Sequence, residues 1–153
     1  MKTTVITYGT FDLFHIGHLS LLNRLKSLGD ELIVGVSTDE FNSIKGKKTV
    51  VPFADRIEII RGLRCVDLAI PEEQWDQKIG DIAHHEVSIF GMGSDWEGHF
   101  DELKAYCKVV YLPRTEDVSS THFRKTLKVL ERSHIGELKQ ALDLISSIVE
   151  RFD

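Results

Sequence analysis

Five short apolar runs recur along this chain, at Thr4–Tyr8, Glu31–Ser37, Val66–Ile70, Val87–Phe90 and Lys108–Leu112, with helical patterns between most of them. Each run is rich in β-branched or aromatic residues and too short for a buried helix, so each reads as a strand. Strand and helix in alternation predict a parallel sheet, because a parallel neighbour is reached only through a long crossover, and that crossover is right-handed. In such sheets ligands bind at the carboxyl ends of the strands, so the residues just after each run are where chemistry is expected.

The expected fold is therefore α/β, a Rossmann-like single domain with a parallel five-stranded sheet flanked by helices and an extra C-terminal helix. Helices are expected at Gly17–Leu28, Ala54–Leu63, Trp75–His85, His99–Tyr106 and Thr121–Glu131. Residues 1–131 carry the alternation, and 132–153 are read as a helical extension of the same domain. In that extension Ile135, Leu138, Leu142, Ile145, Val149 and Phe152 form an apolar stripe, which predicts burial against the domain or against another subunit.

Composition narrows the function classes. A chain of 153 residues suits one domain, and 42% hydrophobic with 28% charged residues is ordinary for a globular protein without a membrane span. The net charge of -5 argues against nucleic-acid binding but leaves a single nucleotide open. No signal-peptide pattern opens the chain, so a cytoplasmic location is expected. Cys65 and Cys107 stand apart and read as small buried hydrophobes.

The first run leads into Tyr8-Gly9-Thr10-Phe11-Asp12-Leu13-Phe14-His15-Ile16-Gly17-His18, followed by leucines at helical spacing. This sets His15 and His18 at a helix start, where backbone N–H groups lack intrahelical partners and the macrodipole is positive. An anion docks readily there, Gly17 permits close approach, and two imidazoles donate to phosphate oxygens. No His-Glu-x-x-His or Cys-x-x-Cys accompanies the pair, so no metal site is expected.

Two further segments follow strands. Lys45-Gly46-Lys47-Lys48 reads equally well as a solvated basic loop and as a mobile loop that neutralises phosphate charge. Arg114 comes at the end of the last strand, with Thr115, Glu116, Asp117, Val118, Ser119, Ser120 and Thr121 leading into a helix; Ser119 or Ser120 is a natural N-cap, and the arginine adds a second anion site. Three phosphate-suited segments point to a triphosphate-sized ligand. Neither Gly-x-x-x-x-Gly-Lys-[Ser/Thr] nor Gly-x-Gly-x-x-Gly occurs, so a P-loop enzyme and a dinucleotide-binding dehydrogenase are not supported.

His15-Ile16-Gly17-His18 with Arg114–Thr121 resembles the paired HxGH and RTxGxST-type signatures of the cytidylyltransferase branch of the nucleotidyltransferase superfamily. Tyr8-Gly9-Thr10-Phe11-Asp12, Ser37–Asn42, Met92–Gly98 and Val110–Thr115 extend the likeness to bacterial members that act on glycerol 3-phosphate. The resemblance implies transfer of CMP from CTP to glycerol 3-phosphate, giving CDP-glycerol and pyrophosphate, with Mg2+ on the triphosphate. It implies a homodimer, and a product used in teichoic acid or capsule-type polymers. By matching position it assigns Thr10, Phe11, His15, Ile16, Gly17, His18, Lys47 and Arg114–Thr121 to the nucleotide, and Lys45 and Lys78 to the acceptor, where Asp12 is also expected. His15, His18, Lys45 and Arg114 form the expected catalytic set. The chain departs from the family pattern in having Asp117 for a usual glycine, Ser120 for threonine, and Ser94 where a second acid is frequent. Two rival readings stay open: the same transfer to ethanolamine phosphate, choline phosphate or a sugar or polyol phosphate, and a nucleotide-binding module without turnover.

Overall fold

The computed structural model describes residues 1–114 and 120–151, the second stretch with side chains at 124–128 and 134–151. The chain divides into two compact units, Met1–Val118 and Ser119–Asp153. The first holds strands β1 (Thr4–Gly9), β2 (Glu31–Ser37), β3 (Leu68–Glu72), β4 (Ile89–Gly93) and β5 (Lys108–Leu112) in one sheet of order β3-β2-β1-β4-β5. Every neighbouring pair is parallel. The chain steps outward from β1 to β2 and β3, then returns to the other side of β1. The resulting switch point opens a crevice at the carboxyl ends of β1 and β4.

Period-two alternation divides the core between the two faces of the sheet. Val5, Leu32, Val34 and Val36 face one layer with Leu22 and Leu25 of α1 (Ile16–Lys26) and with Ile57 and Ile60 of α3 (Phe53–Arg61). Ile6, Tyr8, Ile33, Phe90 and Met92 face the other, with Ile82 of α4 (Gln77–His84) and with Phe100 and Leu103. Burying each of these large side chains stabilises the fold by roughly 1.5–3 kcal/mol. Gly35 stands under the Tyr8 ring, where a Cβ would overlap the aromatic carbons, so the glycine lets Tyr8 lie flat on the sheet. Pro71 is tolerated within β3 because that strand is an edge.

The strands expected at Thr4–Tyr8, Glu31–Ser37 and Lys108–Leu112 are present, the first longer by Gly9. Those expected at Val66–Ile70 and Val87–Phe90 start two residues later. Val66 N–H still donates to Leu63 and Val87 N–H to Ile82, so both valines belong to helix exits and pack on the core before pairing begins. The shift matters, because it carries β3 as far as Glu72. The segment 38–44 contains an unexpected helix, α2 (Asp39–Ile44), whose N-cap Thr38 accepts the Phe41 N–H at 3.1 Å. The helix expected at His99–Tyr106 is only a 3-10 helix, Asp101–Ala105, after Gly98 at φ 84.

In the second unit the two helices expected around residues 121–131 and from 135 are one, α5 (Ser120–Val149). Gly136 weakens a helix by about 1 kcal/mol but does not break it as proline would. On this helix the stripe residues Ile135, Leu138, Leu142, Ile145 and Val149 are between 56% and 62% exposed in the single chain. Phe152 lies outside the described residues.

One buried side chain joins the loops at the crevice. Arg56 of α3, with its side chain fully buried, donates from Nε to the Val51 carbonyl at 2.9 Å and from Nη1 to the Thr10 and Ser37 carbonyls, both at 2.7 Å. Its Nη2 donates to Asp39 at 2.8 Å. Arg56→Met keeps the length of the side chain and removes every donor, leaving carbonyls without partners. The expected loss is about 3–5 kcal/mol, read as a lower urea midpoint at unchanged slope.

Candidate active site

The turn after β1 is built around two residues in the left-handed region, Phe11 at φ 53 and Leu13 at φ 48. Each costs on the order of 1–2 kcal/mol for a residue with a Cβ. Asp12, between them and 2% exposed, repays part of that strain. Its carboxylate accepts from the Leu13 N–H at 3.1 Å, the Val50 N–H at 2.8 Å and the Val51 N–H at 2.9 Å. These bonds also give Asp12 a scaffolding task, tying the histidine turn to the 50–51 loop. Thr10 donates from Oγ1 to Oδ1 of buried Asn42 at 3.1 Å, which joins the turn to α2.

His15 is the N-cap of α1, and its Nδ1 accepts the Gly17 N–H at 3.0 Å. The His15 N–H in turn donates to His18 Nδ1 at 3.2 Å. With both Nδ1 atoms accepting, the neutral imidazoles carry their protons on Nε2, and His15 Nε2 lies buried within the turn. The rings stack at 3.9 Å between centroids, and His18 is flanked by Phe14 at 5.3 Å and edge-on by Phe11 at 5.6 Å. Burial pushes the His15 imidazole below its ordinary pKa, which favours the neutral donor form at pH 7. Ile16, 63% exposed, opens the helix beside them.

At the ends of β2 and β3 lies a buried ionic cluster. Glu72 is 3% exposed, and its Oε2 meets Lys78 Nζ at 2.7 Å. Its Oε1 accepts from Ser37 Oγ at 2.6 Å and lies 3.8 Å from Lys45 Nζ. Lys45 Nζ also donates to Ser37 Oγ at 3.0 Å and stands 4.3 Å from the Phe41 ring centroid. Lys78 Nζ is 4.6 Å from the Tyr8 centroid and 5.2 Å from that of Trp75. Burial lowers the Lys45 pKa to about 8; Glu72 opposes that shift, while Lys47, Lys78 and Arg56 add to it. Gly46 at φ 72 then turns the chain so that Lys47 Nζ stands 5.7 Å from the Trp96 centroid. The basic segment is thus split between an inward Lys45 and an outward Lys47. A cavity of about 590 Å³ lies against the loop, lined by Asp39, Lys47, Lys48 and Thr49 among others.

At the ends of β4 and β5, Arg114 Nε meets Asp95 at 3.1 Å, with both side chains more than half exposed. Thr115, Glu116, Asp117, Val118 and Ser119 lie outside the described residues; of Ser120 and Thr121 only the helical backbone is described. Among the described residues no group of three or more His, Cys, Asp or Glu is placed to hold a metal ion, and no helix is long and apolar enough to cross a membrane.

Glu72 and Arg56 escaped the sequence reading, and Ser37 and Asn42 entered it only as the ends of a family-like segment with no role given. Glu72 fell outside the strand because the frame of β3 was set two residues too early.

A parallel sheet with its switch point at a histidine-bearing helix start defines an α/β nucleotidyltransferase-like fold. The model of the cytidylyltransferase-like family matches residues 6–127. The chain is 53% identical over 126 residues to a glycerol-3-phosphate cytidylyltransferase of Bacillus spizizenii, covering 82% of this chain and 98% of that protein. It is 54% identical over 123 residues to the enzyme of the same name from Bacillus subtilis, covering 80% and 95%. Among solved structures, the lipopolysaccharide core biosynthesis protein of Thermoplasma volcanium aligns with TM-score 0.69 at 28% identity, over 76% of this chain and all of that one. This chain belongs to the cytidylyltransferase-like family and is a nucleotidyltransferase.

Proposed function

We propose that this enzyme transfers the cytidylyl group of CTP to glycerol 3-phosphate, forming CDP-glycerol and releasing pyrophosphate. The observation that carries the reading is the pairing, at the carboxyl ends of neighbouring strands, of a histidine turn whose two Nδ1 atoms are both taken by backbone N–H groups with a buried site that holds two lysine ammoniums around one carboxylate. The first suits a triphosphate and the second a small phosphorylated acceptor. The relatives named for that reaction support the choice of acceptor.

In this reading a phosphate oxygen of the acceptor attacks the α-phosphorus in line, a P–O bond forms, and the bond to the departing pyrophosphate breaks. The acceptor phosphate is already ionised near neutral pH, so catalysis lies in positioning and charge stabilisation, not in a strong base. His15 and His18 donate from Nε2 to oxygens that gain charge, while Lys47 and Arg114 balance the triphosphate. Thr10, Phe11, Ile16, Gly17 and Arg114–Thr121 complete the nucleotide side, and Lys45 and Lys78 take the acceptor. Mg2+ enters with CTP, held by phosphate oxygens and water, as suits a hard cation that keeps much of its hydration. A cytoplasmic location belongs to the same proposal, since the donor is CTP.

His18→Ala is expected to lower turnover by about two or more orders of magnitude while the protein stays folded by circular dichroism; near-normal turnover would remove the donor role. The reaction itself is tested by pyrophosphate release from CTP and Mg2+ with glycerol 3-phosphate, against ethanolamine phosphate, choline phosphate and ribitol 5-phosphate, and with ATP as the alternative donor. Release is expected with CTP and glycerol 3-phosphate. Preference for another acceptor replaces the substrate, and no release with any pair defeats the catalytic reading.

A homodimer is part of the proposal. It is supported by Ile135, Leu138, Leu142, Ile145 and Val149, which alternate three- and four-residue spacings along α5 and are all exposed, as in the seam of paired helices. Truncation before Ile135 is expected to halve the mass measured by light scattering; an unchanged dimer would move the interface elsewhere.

A further inference from the structure

We infer that Glu72 is the positioning residue of the acceptor site, a buried carboxylate that holds Lys45 and Lys78 as one two-ammonium clamp for a single phosphate monoester. This rests on the reading that the two lysines take the acceptor phosphate.

Three elements converge on Glu72: Ser37 from the end of β2, Lys45 from the C-cap of α2, and Lys78 from α4. Its two oxygens are divided between them, Oε2 for Lys78 and Oε1 for Ser37 and Lys45. Ser37 completes the link, donating to Glu72 while accepting from Lys45. Lys45 and Lys78 side chains are 10% and 4% exposed, and Phe41, Tyr8, Trp75 and Phe100 ring centroids stand within 5.6 Å of one or the other ammonium.

Two positive charges and one negative charge in so dry a place leave an excess of one positive charge, and buried charge without compensation is costly. Glu72 holds both ammoniums beside one carboxylate. The remaining positive charge selects an anion as the last member of the cluster. A phosphate monoester supplies that charge and the oxygens to accept from both ammoniums. An acceptor with a fixed positive charge of its own meets two like charges instead. A cavity of about 460 Å³ borders Lys78, lined also by Trp75, Trp96, His99, Phe100 and Glu102.

The lowered pKa of Lys45 adds a second signature. Facing it are Glu72 from β3, Lys78 from α4, Lys47 from its own loop and Arg56 from α3. Glu72 is the group among these that raises its pKa. Acceptor binding therefore weakens as pH rises through about 8, and removal of the Glu72 charge moves that alkaline limb to lower pH.

The test is steady-state kinetics on the whole enzyme with Glu72→Gln and Glu72→Asp, after urea unfolding confirms that each variant is folded. Glu72→Gln is expected to raise the KM for glycerol 3-phosphate about tenfold or more, with the KM for CTP within about twofold and the alkaline limb moved down. Glu72→Asp is expected to recover part of both effects. If Glu72→Gln does not fold, Ser37→Ala removes the hydroxyl link alone and is expected to raise the same KM by a smaller factor, with the CTP KM unmoved. An unchanged acceptor KM, equal rises in both KM values, or an unmoved alkaline limb would overturn the role. Lys45→Ala and Lys78→Ala separate the two layers of the inference. If they leave the acceptor KM unchanged, the reading of the lysines fails; if they raise it and Glu72→Gln does not, the assignment of Glu72 alone fails.

Discussion

The guanidinium of Arg56 is the constraint on which the crevice depends. Strand ends in a parallel sheet leave carbonyls that no neighbouring strand accepts into its ladder, and here the carbonyls of Thr10, Ser37 and Val51 turn to one planar fork of donors. The same fork holds Asp39 at the start of α2. The Phe53 N–H, with the guanidinium, keeps that carboxylate below its usual pKa range. The end of β1, the end of β2, α2 and the 50–51 loop are therefore tied to one side chain. Since Asp12 pins the histidine turn to that same loop, the strain of two left-handed residues is stored against a buried cation.

Around this body the chemistry is distributed by charge and hydration. The histidine turn uses neutral donors, because each Nδ1 is committed to a backbone N–H and burial holds His15 below its ordinary pKa. The Lys45–Glu72–Lys78 cluster uses charge, shielded from water by aromatic rings that tolerate a cation on their faces. Arg114 and Asp95 remain in solvent, where an ion pair contributes little to stability and is easily exchanged for a ligand. In the proposed reaction these three settings correspond to the donor's phosphates, the acceptor and the departing charge.

How much of this was legible in the chain depended on how local the signal was. Thr4–Tyr8, Glu31–Ser37 and Lys108–Leu112 read correctly as strands because they are rich in β-branched and aromatic side chains, and their ends were marked by turns. Val66 and Val87 misled the reading by two residues, since apolar character reports burial and not pairing. α2 was missed because six residues hold too short a periodic pattern; only the cap Thr38 announced it. One continuous α5 stood where a break was expected, because Gly136 costs a helix little compared with the continuity of its backbone ladder.

The sequence by itself determined the parallel α/β architecture and the phosphate-suited turn, since strand runs, helical spacing and the His-x-x-His turn are patterns of neighbours along the chain. It also determined the family, through motifs that match over most of the domain. Only the tertiary structure decided that Lys45 turns inward while Lys47 turns out, that Asp12 serves a loop almost forty residues away, and that Glu72 stands between two lysines from separate elements. Those facts depend on which strand ends lie side by side and on which polar groups must share a partner when water is excluded, and neither is written in the spacing of residues along the chain.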